Sequence, residues 1–235
     1  TSRRTVGGGN GLLNNLVAYW ALDEAAGANN ALDLHTNGLT LTQVSSPGSA
    51  AGIVYAGART FDGANDYFTR ASESLMQTGS NDFTVAVWAY RVAGGANTTL
   101  CRDNSSAQRE FNLVVRVGDA GLACYPAGVY TEVNVVASLA NNWHLVIGWR
   151  DHNAGKIYLS IDNGTPAELA CAALSASTAA TNIGRIDAVT TAFSGRLGPI
   201  AFWKSAAGGG GVLTAAQRTA LYNSGAGLAY AAFTT

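Results

Sequence analysis

A chain of 235 residues suits one large all-β domain or two small ones, and a single core of that size buries about 70% of the surface that the unfolded chain exposes. Charged residues make up only 12% and the formal net charge is −1, with two Lys and twelve scattered Arg, so there is no basic stripe to neutralise phosphates and nucleic acid is excluded as the main partner. No apolar run approaches the roughly 18 residues that span a bilayer, which argues against membrane insertion by a helix.

The chain opens with TSRRTVGGGNG, whose composition is that of a linker. Residues 1–14 are therefore expected to form a Gly-rich linker or N-terminal arm, and residues 15–235 one domain. The start at Thr1 reads as a mature form or a module of something longer.

From there the pattern is β almost throughout. LVAYWAL (16–22) has aromatic and branched strand content, and LTLT (39–42) alternates apolar and hydroxyl side chains. In DFTVAVWAY (82–90) the period of two puts Phe83, Val85, Val87 and Ala89 on one face and Thr84, Ala86, Trp88 and Tyr90 on the other. EFNLVVRV (110–117), LACYP (122–126), TEVNVV (131–136), WHLVIGWRD (143–151) and KIYLSID (156–162) follow, separated by Gly, Asn, Asp or Pro. DHNAGK (151–156) and DNG (162–164) carry tight-turn chemistry. A last strand, FSGRLGPIAFW (193–203), precedes one convincing helix at 214–225, where Thr214 and Gln217 form a capping box and Gly225 is placed to supply the left-handed residue after the helix. One short helix after many strands implies a β-sandwich or jelly roll. Cys101, Cys124 and Cys171 match no zinc spacing and are too few for a disulfide scaffold. Three buried free thiols are expected, with one bridge and a spare thiol as the alternative.

The order of LVAYWALDEAAG, FDGANDY, DFTVAVWAY, NNWHLVIGWRD, IYLSIDNG, NIGR, FSGRLGPIAFW and LTAAQRTALYNSG resembles the laminin-G-like branch of the concanavalin A-like lectin/glucanase superfamily, over residues 15 to 230 or so. The resemblance implies a jelly-roll β-sandwich of two antiparallel sheets with one short C-terminal helix and chain ends close together. In FDGANDY, Asp62-Gly63 reads as a tight turn between a strand ending in Phe61 and one starting at Tyr67. Trp20, Trp88, Trp143 and Trp203 read as sandwich core rather than sugar platforms.

Members of this family often bind calcium, which takes about six to eight oxygen ligands. No cofactor is required by the sequence, but the resemblance implies Asp62, Asn65 and Asp66, with Asp23 and Glu24, as the calcium ligand set. The alternative is that these oxygens only bind backbone N–H groups of turns. The chain departs from the family late on, where Leu197-Gly198-Pro199-Ile200 stands in place of an acidic pair. Glucanase relatives carry acids at alternate positions of one strand, and Glu24, Glu73, Glu110, Glu132 and Glu168 lack that spacing. His144 sits beside Trp143 without a nucleophile motif, and His152 falls in a turn. No enzymatic activity is expected.

Two functions of different class remain. One is a non-catalytic recognition module for a glycan or surface protein, displayed outside the cell. It would act through the polar segments 91–110 and 163–181, with Arg102, Asp103, Asn104 and Gln108 as planar hydrogen-bonding groups and Tyr125 or Tyr130 as a stacking ring. The other is a structural module of a larger protein assembly, such as a virion decoration, fibre or appendage protein, which the low charge and abundant Ala, Gly and Thr fit.

Overall fold

The computed structural model describes residues 9–27, 29–92, 98–103, 109–186 and 192–235. They form two antiparallel sheets. The eight-stranded sheet runs β13 (Ala167–Ala170), β12 (Lys156–Ile161), β11 (Trp143–Asp151), β6 (Asn81–Arg91), β15 (Ser194–Ala206), β4 (Gly57–Asp62) and β3 (Gly48–Ala51), with β1 (Leu16–Trp20) also paired to β15. The seven-stranded sheet runs β10 (Thr131–Val136), β9 (Asp119–Cys124), β8 (Arg109–Val115), β7 (Thr98–Asp103), β14 (Thr181–Ile183), β5 (Tyr67–Arg70) and β2 (Thr42–Val44). One helix, α1 (Ala215–Tyr222), follows β15. The all-β sandwich expected from the sequence is therefore the observed architecture.

The period of two in β6 explains how the layers stack. Phe83, Val85, Val87 and Ala89 enter the core between the sheets, where the Phe111 ring of the opposing sheet lies 5.1 Å from Phe83 and 5.9 Å from Phe202. Ala86 and Trp88 point the other way, into a second core on the outer face of the eight-stranded sheet. That face also carries Tyr19, Ile147, Trp149 and Trp203, and it is covered by Leu221 of α1 and Phe233 of the tail. Trp88 stacks on Tyr222 at 6.1 Å and Trp203 on Phe233 at 6.2 Å. The expectation for the tryptophans thus needs dividing: Trp20 belongs to the core between the sheets, Trp88 and Trp203 to the helix-covered layer, and Trp143 is only half-buried. β1 reads as an unbroken apolar run because all five of its residues are buried, some on each face.

Several boundaries differ from the sequence expectation. Leu39 and Leu41 are core residues ahead of β2, which covers Thr42–Val44 rather than 39–42. The polar segments at 91–110 and 163–181 contain β7, and β13 with the start of β14. The capping box on α1 is present, with the Gln217 N–H donating to Thr214 Oγ1 at 3.3 Å. The helix ends earlier than Gly225, because Asn223 takes the left-handed conformation at φ 48°.

β15 changes neighbour halfway along. Up to Leu197 it pairs with β4, and from Ile200 it pairs with β1, with a register shift against β6 between Leu197 and Ile200. Gly198-Pro199 occupies that irregularity, where Pro needs no ladder partner for its missing N–H. A Cβ on Gly198 would sit 3.4 Å from Trp88 Cβ. The Gly-Pro pair thus sits where the ladder to β6 is interrupted, and the space beside Gly198 leaves ordinary contact with Trp88.

The first described residues are clasped to the C-terminal tail. The Thr234 N–H donates to Asn10 Oδ1 at 2.9 Å, Asn10 Nδ2 donates to the Ala232 carbonyl at 2.8 Å, and the Leu13 N–H donates to the Thr234 carbonyl at 3.0 Å. Residues 9–14, expected to finish an arm, pack onto the domain, and Leu12 is fully buried in the helix-covered core. Among the described residues, no helix is long and apolar enough to cross a membrane.

Candidate functional site

The acidic turn follows from its residues. Asp62 Oδ1 accepts the N–H of Ala64 at 2.8 Å and of Asn65 at 3.2 Å, and Gly63 has φ 77°. The turn links β4 to β5, so it carries the chain from one sheet to the other. Hydrogen bonds from the Ala64 N–H and its neighbours hold the Asp62 carboxyl below the usual carboxylate range. Asp66 Oδ1 accepts the Ser46 N–H at 3.1 Å and Oδ2 the Asp62 N–H at 3.3 Å, while burial pushes its carboxyl upward. Glu24 Oε1 accepts the Leu32 N–H at 2.8 Å, and burial raises that group too. Asp23 and Asn65 are exposed.

A cation already serves this acidic group. The fully buried Arg59 guanidinium attracts both Glu24 and Asp66, and its Nη1 donates to the carbonyls of Glu24 at 3.0 Å and Ala25 at 2.6 Å. Among the described residues, no group of three or more His, Cys, Asp or Glu side chains is placed to hold a metal ion. Of the five residues expected as calcium ligands, Asp62, Asp66 and Glu24 use carboxylate oxygens to accept backbone N–H groups, while Asp23 and Asn65 stand exposed.

Of the residues expected to bind a ligand, Asp103, Tyr125 and Tyr130 come together around Arg109, while Arg102 turns to a different partner. Asn104 and Gln108 lie outside the described residues. Arg102 and Asp103 belong to β7 and are fully buried, a correction to their placement on a solvated loop. Arg102 forms an ion pair with the equally buried Glu110, at 3.2 Å from Nε to Oε2. Asp103 pairs with Arg109 at 3.0 Å. Tyr125 is buried beneath Arg109, whose guanidinium carbon lies 4.0 Å from its ring centre, so it presents no stacking face. Tyr130 is 53% exposed, on the other side of an edge-on contact with Tyr125.

The glutamates have structural partners. Glu132 accepts from Arg116 at 2.6 Å, Glu168 pairs with Lys156, and Glu73 lies 3.6 Å from Arg70. The His144 ring is satisfied by Asp162 at 2.6 Å. His152, in the turn after β11, is half-buried against Arg150 at 2.9 Å.

A polar groove that the sequence did not indicate lies at the β2–β5 edge of the seven-stranded sheet. It has a volume of about 530 Å³ and is lined by Thr40, Thr42, Thr69, Arg70, Ala71, Ser72 and Glu73, a size ordinary for a small-ligand site. Thr42 and Thr69 are cross-strand partners, so their side chains share one face. Thr69 Oγ1 donates to Asn182 Oδ1 at 2.6 Å, and Arg70 Nη1 donates to the Thr40 carbonyl at 3.1 Å. The buried ion pair stands directly behind this wall. Arg102 Nη2 donates to Ser72 Oγ at 3.3 Å and Nη1 to Thr181 Oγ1 at 3.0 Å, and Thr181 is the cross-strand partner of Arg70. The groove therefore offers hydroxyls, a guanidinium and a carboxylate on a rigid backing, with no nucleophile–base pair among them.

No known family matches the sequence, and no curated protein matches it. Among solved structures the fold is similar to the binding domain of Paraclostridial Mosquitocidal Protein 1, with a TM-score of 0.66 and 11% identity over 91% of this chain and 53% of that one. It is similar to the binding domain of botulinum neurotoxin serotype G, with a TM-score of 0.62 and 10% identity over 90% and 51%. It is also similar to domain 4 of AbnA, a GH43 extracellular arabinanase from Geobacillus stearothermophilus, solved in complex with arabinotriose, with a TM-score of 0.57 and 12% identity over 84% and 96%. The chain spans about half the length of the two toxin domains. At these identities the likeness establishes a shared β-sandwich fold.

Proposed function

We propose that this chain is a non-catalytic recognition module, a laminin-G-like member of the concanavalin A-like sandwiches, that works outside the cell and binds a glycan in the groove between β2 and β5. The observation that carries the reading is the wall formed by Thr42, Thr69, Arg70, Ser72 and Glu73, braced from behind by Arg102. Vicinal sugar hydroxyls both donate and accept, and this wall supplies both kinds of partner in fixed positions. A guanidinium and a carboxylate 3.6 Å apart give the stronger, charge-assisted bonds. Fold-level support comes from the sandwich of the arabinanase domain, which was solved with an arabinotriose.

The test is a glycan array followed by titration calorimetry of the best sugar, with arabinotriose included. Binding by the wild type and a loss of tenfold or more in Arg70→Ala and Thr69→Val support the reading. An array with no sugar bound, or affinity unchanged in both variants, overturns it.

A second reading, a structural module of a larger assembly, is favoured by a different observation. Val129, Tyr130 and Val136 are 63%, 53% and 87% exposed on and beside β10, an edge strand, where apolar side chains invite a neighbouring chain. Sedimentation velocity separates the two: concentration-dependent association abolished by Val136→Lys supports assembly, and a monomer at all concentrations removes it.

A further inference from the structure

The hydrogen-bonding roles left open in the β2–β5 groove narrow what it can hold. Ser72 Oγ accepts from Nη2 of the buried Arg102 at 3.3 Å, so its own proton stays available to donate. Thr40 Oγ1 accepts the Asp33 N–H at 3.4 Å and keeps its proton in the same way. Thr69 is the reverse: its proton goes to Asn182 Oδ1 at 2.6 Å, which leaves its oxygen as an acceptor. Arg70 donates and Glu73 accepts. The side chains of these two are each 32% exposed, and at 3.6 Å they cancel one another's charge at the wall. The next charges inward, Arg102 and Glu110, cancel at 3.2 Å. None of the lining residues is aromatic, so no ring offers a face for stacking, and hydrogen bonds and charge decide what binds.

We infer that this groove, given that it is the glycan site proposed above, selects neutral oligosaccharides and rejects their carboxylated counterparts, with Glu73 as the residue that sets the choice. A sugar hydroxyl both donates and accepts, so it can serve Thr69 and Glu73 in one direction and Ser72, Thr40 and Arg70 in the other. An ionised carboxylate only accepts, and it leaves the acceptors of the wall facing another acceptor. A uronic acid drawn to Arg70 also brings its charge up to the Glu73 carboxylate, which already lies 3.6 Å from the same guanidinium. An amino sugar in its ammonium form meets Arg70 with the same penalty. Two like charges about 4 Å apart in a largely aqueous setting weaken binding by about fivefold. Discrimination of this kind comes from a repulsive element built beside the attractive one, rather than from an added contact to the preferred ligand.

The experiment uses the full chain and an array of galactose, mannose and glucose oligomers, each beside the matching uronic acid oligomer, with arabinotriose included. Calorimetry then measures the sugars that bind. Binding should fall on neutral members, with any matching acid weaker by about fivefold or more. The neutral affinity should hold within about twofold from 0.1 M to 1 M salt, over which the screening length falls from about 10 Å to about 3 Å. In Glu73→Gln, which keeps the side chain's shape and removes its charge, the preference for neutral over acid should collapse. Melting curves confirm that this variant, at a partly exposed position, is folded. An acidic sugar bound as tightly as its neutral partner, and lost in Arg70→Ala, overturns the selectivity and leaves the glycan site standing. A preference unchanged in folded Glu73→Gln overturns the role of that carboxylate. Silence across the whole array removes the glycan site and the selectivity together.

Discussion

Changing Glu110 to Gln removes a charge and little volume, and the surroundings of this side chain set the magnitude expected. Its two carboxylate oxygens accept six hydrogen bonds: the N–H and hydroxyl of Thr78 at 2.7 and 2.8 Å, the N–H and hydroxyl of Ser177 at 2.7 and 3.0 Å, and Nε and Nη2 of Arg102 at 3.2 and 3.3 Å. Both members of the ion pair are fully buried. Removing one partner of such a pair costs about 3–5 kcal/mol, because the other charge stays behind uncompensated. The new amide group also faces donors. The hydroxyls rotate and accept from it, but one backbone N–H loses its acceptor, at about 1–3 kcal/mol. Arg102 keeps bonds to Thr181 Oγ1 and the Ser177 carbonyl, which places the total near the lower end, about 5 kcal/mol. That is a large share of the ~5–15 kcal/mol that holds a domain folded, and it corresponds to a fall in Tm of about 10–20 °C. Urea unfolding followed by Trp fluorescence measures it, provided the slope m is unchanged. Adding Arg102→Met to Glu110→Gln should recover at least ~2 kcal/mol, since the stranded charge goes with it. A loss under about 1 kcal/mol in Glu110→Gln would refute the reasoning.

Three more outcomes are expected. Asp66→Ala should lose about 1–3 kcal/mol, because the N–H groups of Ser46 and Asp62 are left unpaired, and melting curves should show the same loss in millimolar calcium as in EDTA. A calcium-induced rise in Tm that only the wild type shows would return the turn to the metal reading. Burial raises the Glu24 carboxyl, so the folded state holds its proton more tightly than the unfolded chain, and that contribution is present at acid pH and lost as pH climbs through the raised value. Glu24→Gln should therefore gain on the wild type as pH rises from about 4 to about 7, read from Tm across that range. Gly184 has φ 88° and a Cβ there would lie 2.5 Å from the Phe61 ring, so Gly184→Ala should cost ~2 kcal/mol or more by urea unfolding.

The sandwich was legible wherever a strand is buried on one face or has distinct faces. β6, β10 and β11 alternate, and their limits agree with the pattern to within a residue at each end. β7 did not announce itself, since TTLCRD is polar in letters yet buried at every position. Its Arg102 meets a Glu110 eight residues on only because β7 and β8 pair. A sequence read for solvated loops takes such a pair as surface. The groove was hidden for another reason: its wall is assembled from 40–42 and 69–73, two stretches with no motif, brought together by the Thr42–Thr69 pairing. The acidic turn was legible as a turn, since Asp-Gly meets a backbone need. What its oxygens bind became readable only once the fold brought the Ser46 N–H to Asp66.

The clasp between Asn10 and Thr234 has a mechanical consequence. A load drawn through the two ends meets that clasp first, and it opens one bond at a time rather than by sliding strands past each other. Behind it, β1 is held by β15 alone among the strands, and the tail beyond α1 lifts away from the outer face of one sheet. β1 also carries Val17, Ala18 and Trp20 into the core between the sheets, so that core resists once the load reaches the strand. Pulled from its ends, the protein should yield at low tension by shedding its helix-covered layer, with the sandwich giving way in a later, separate event.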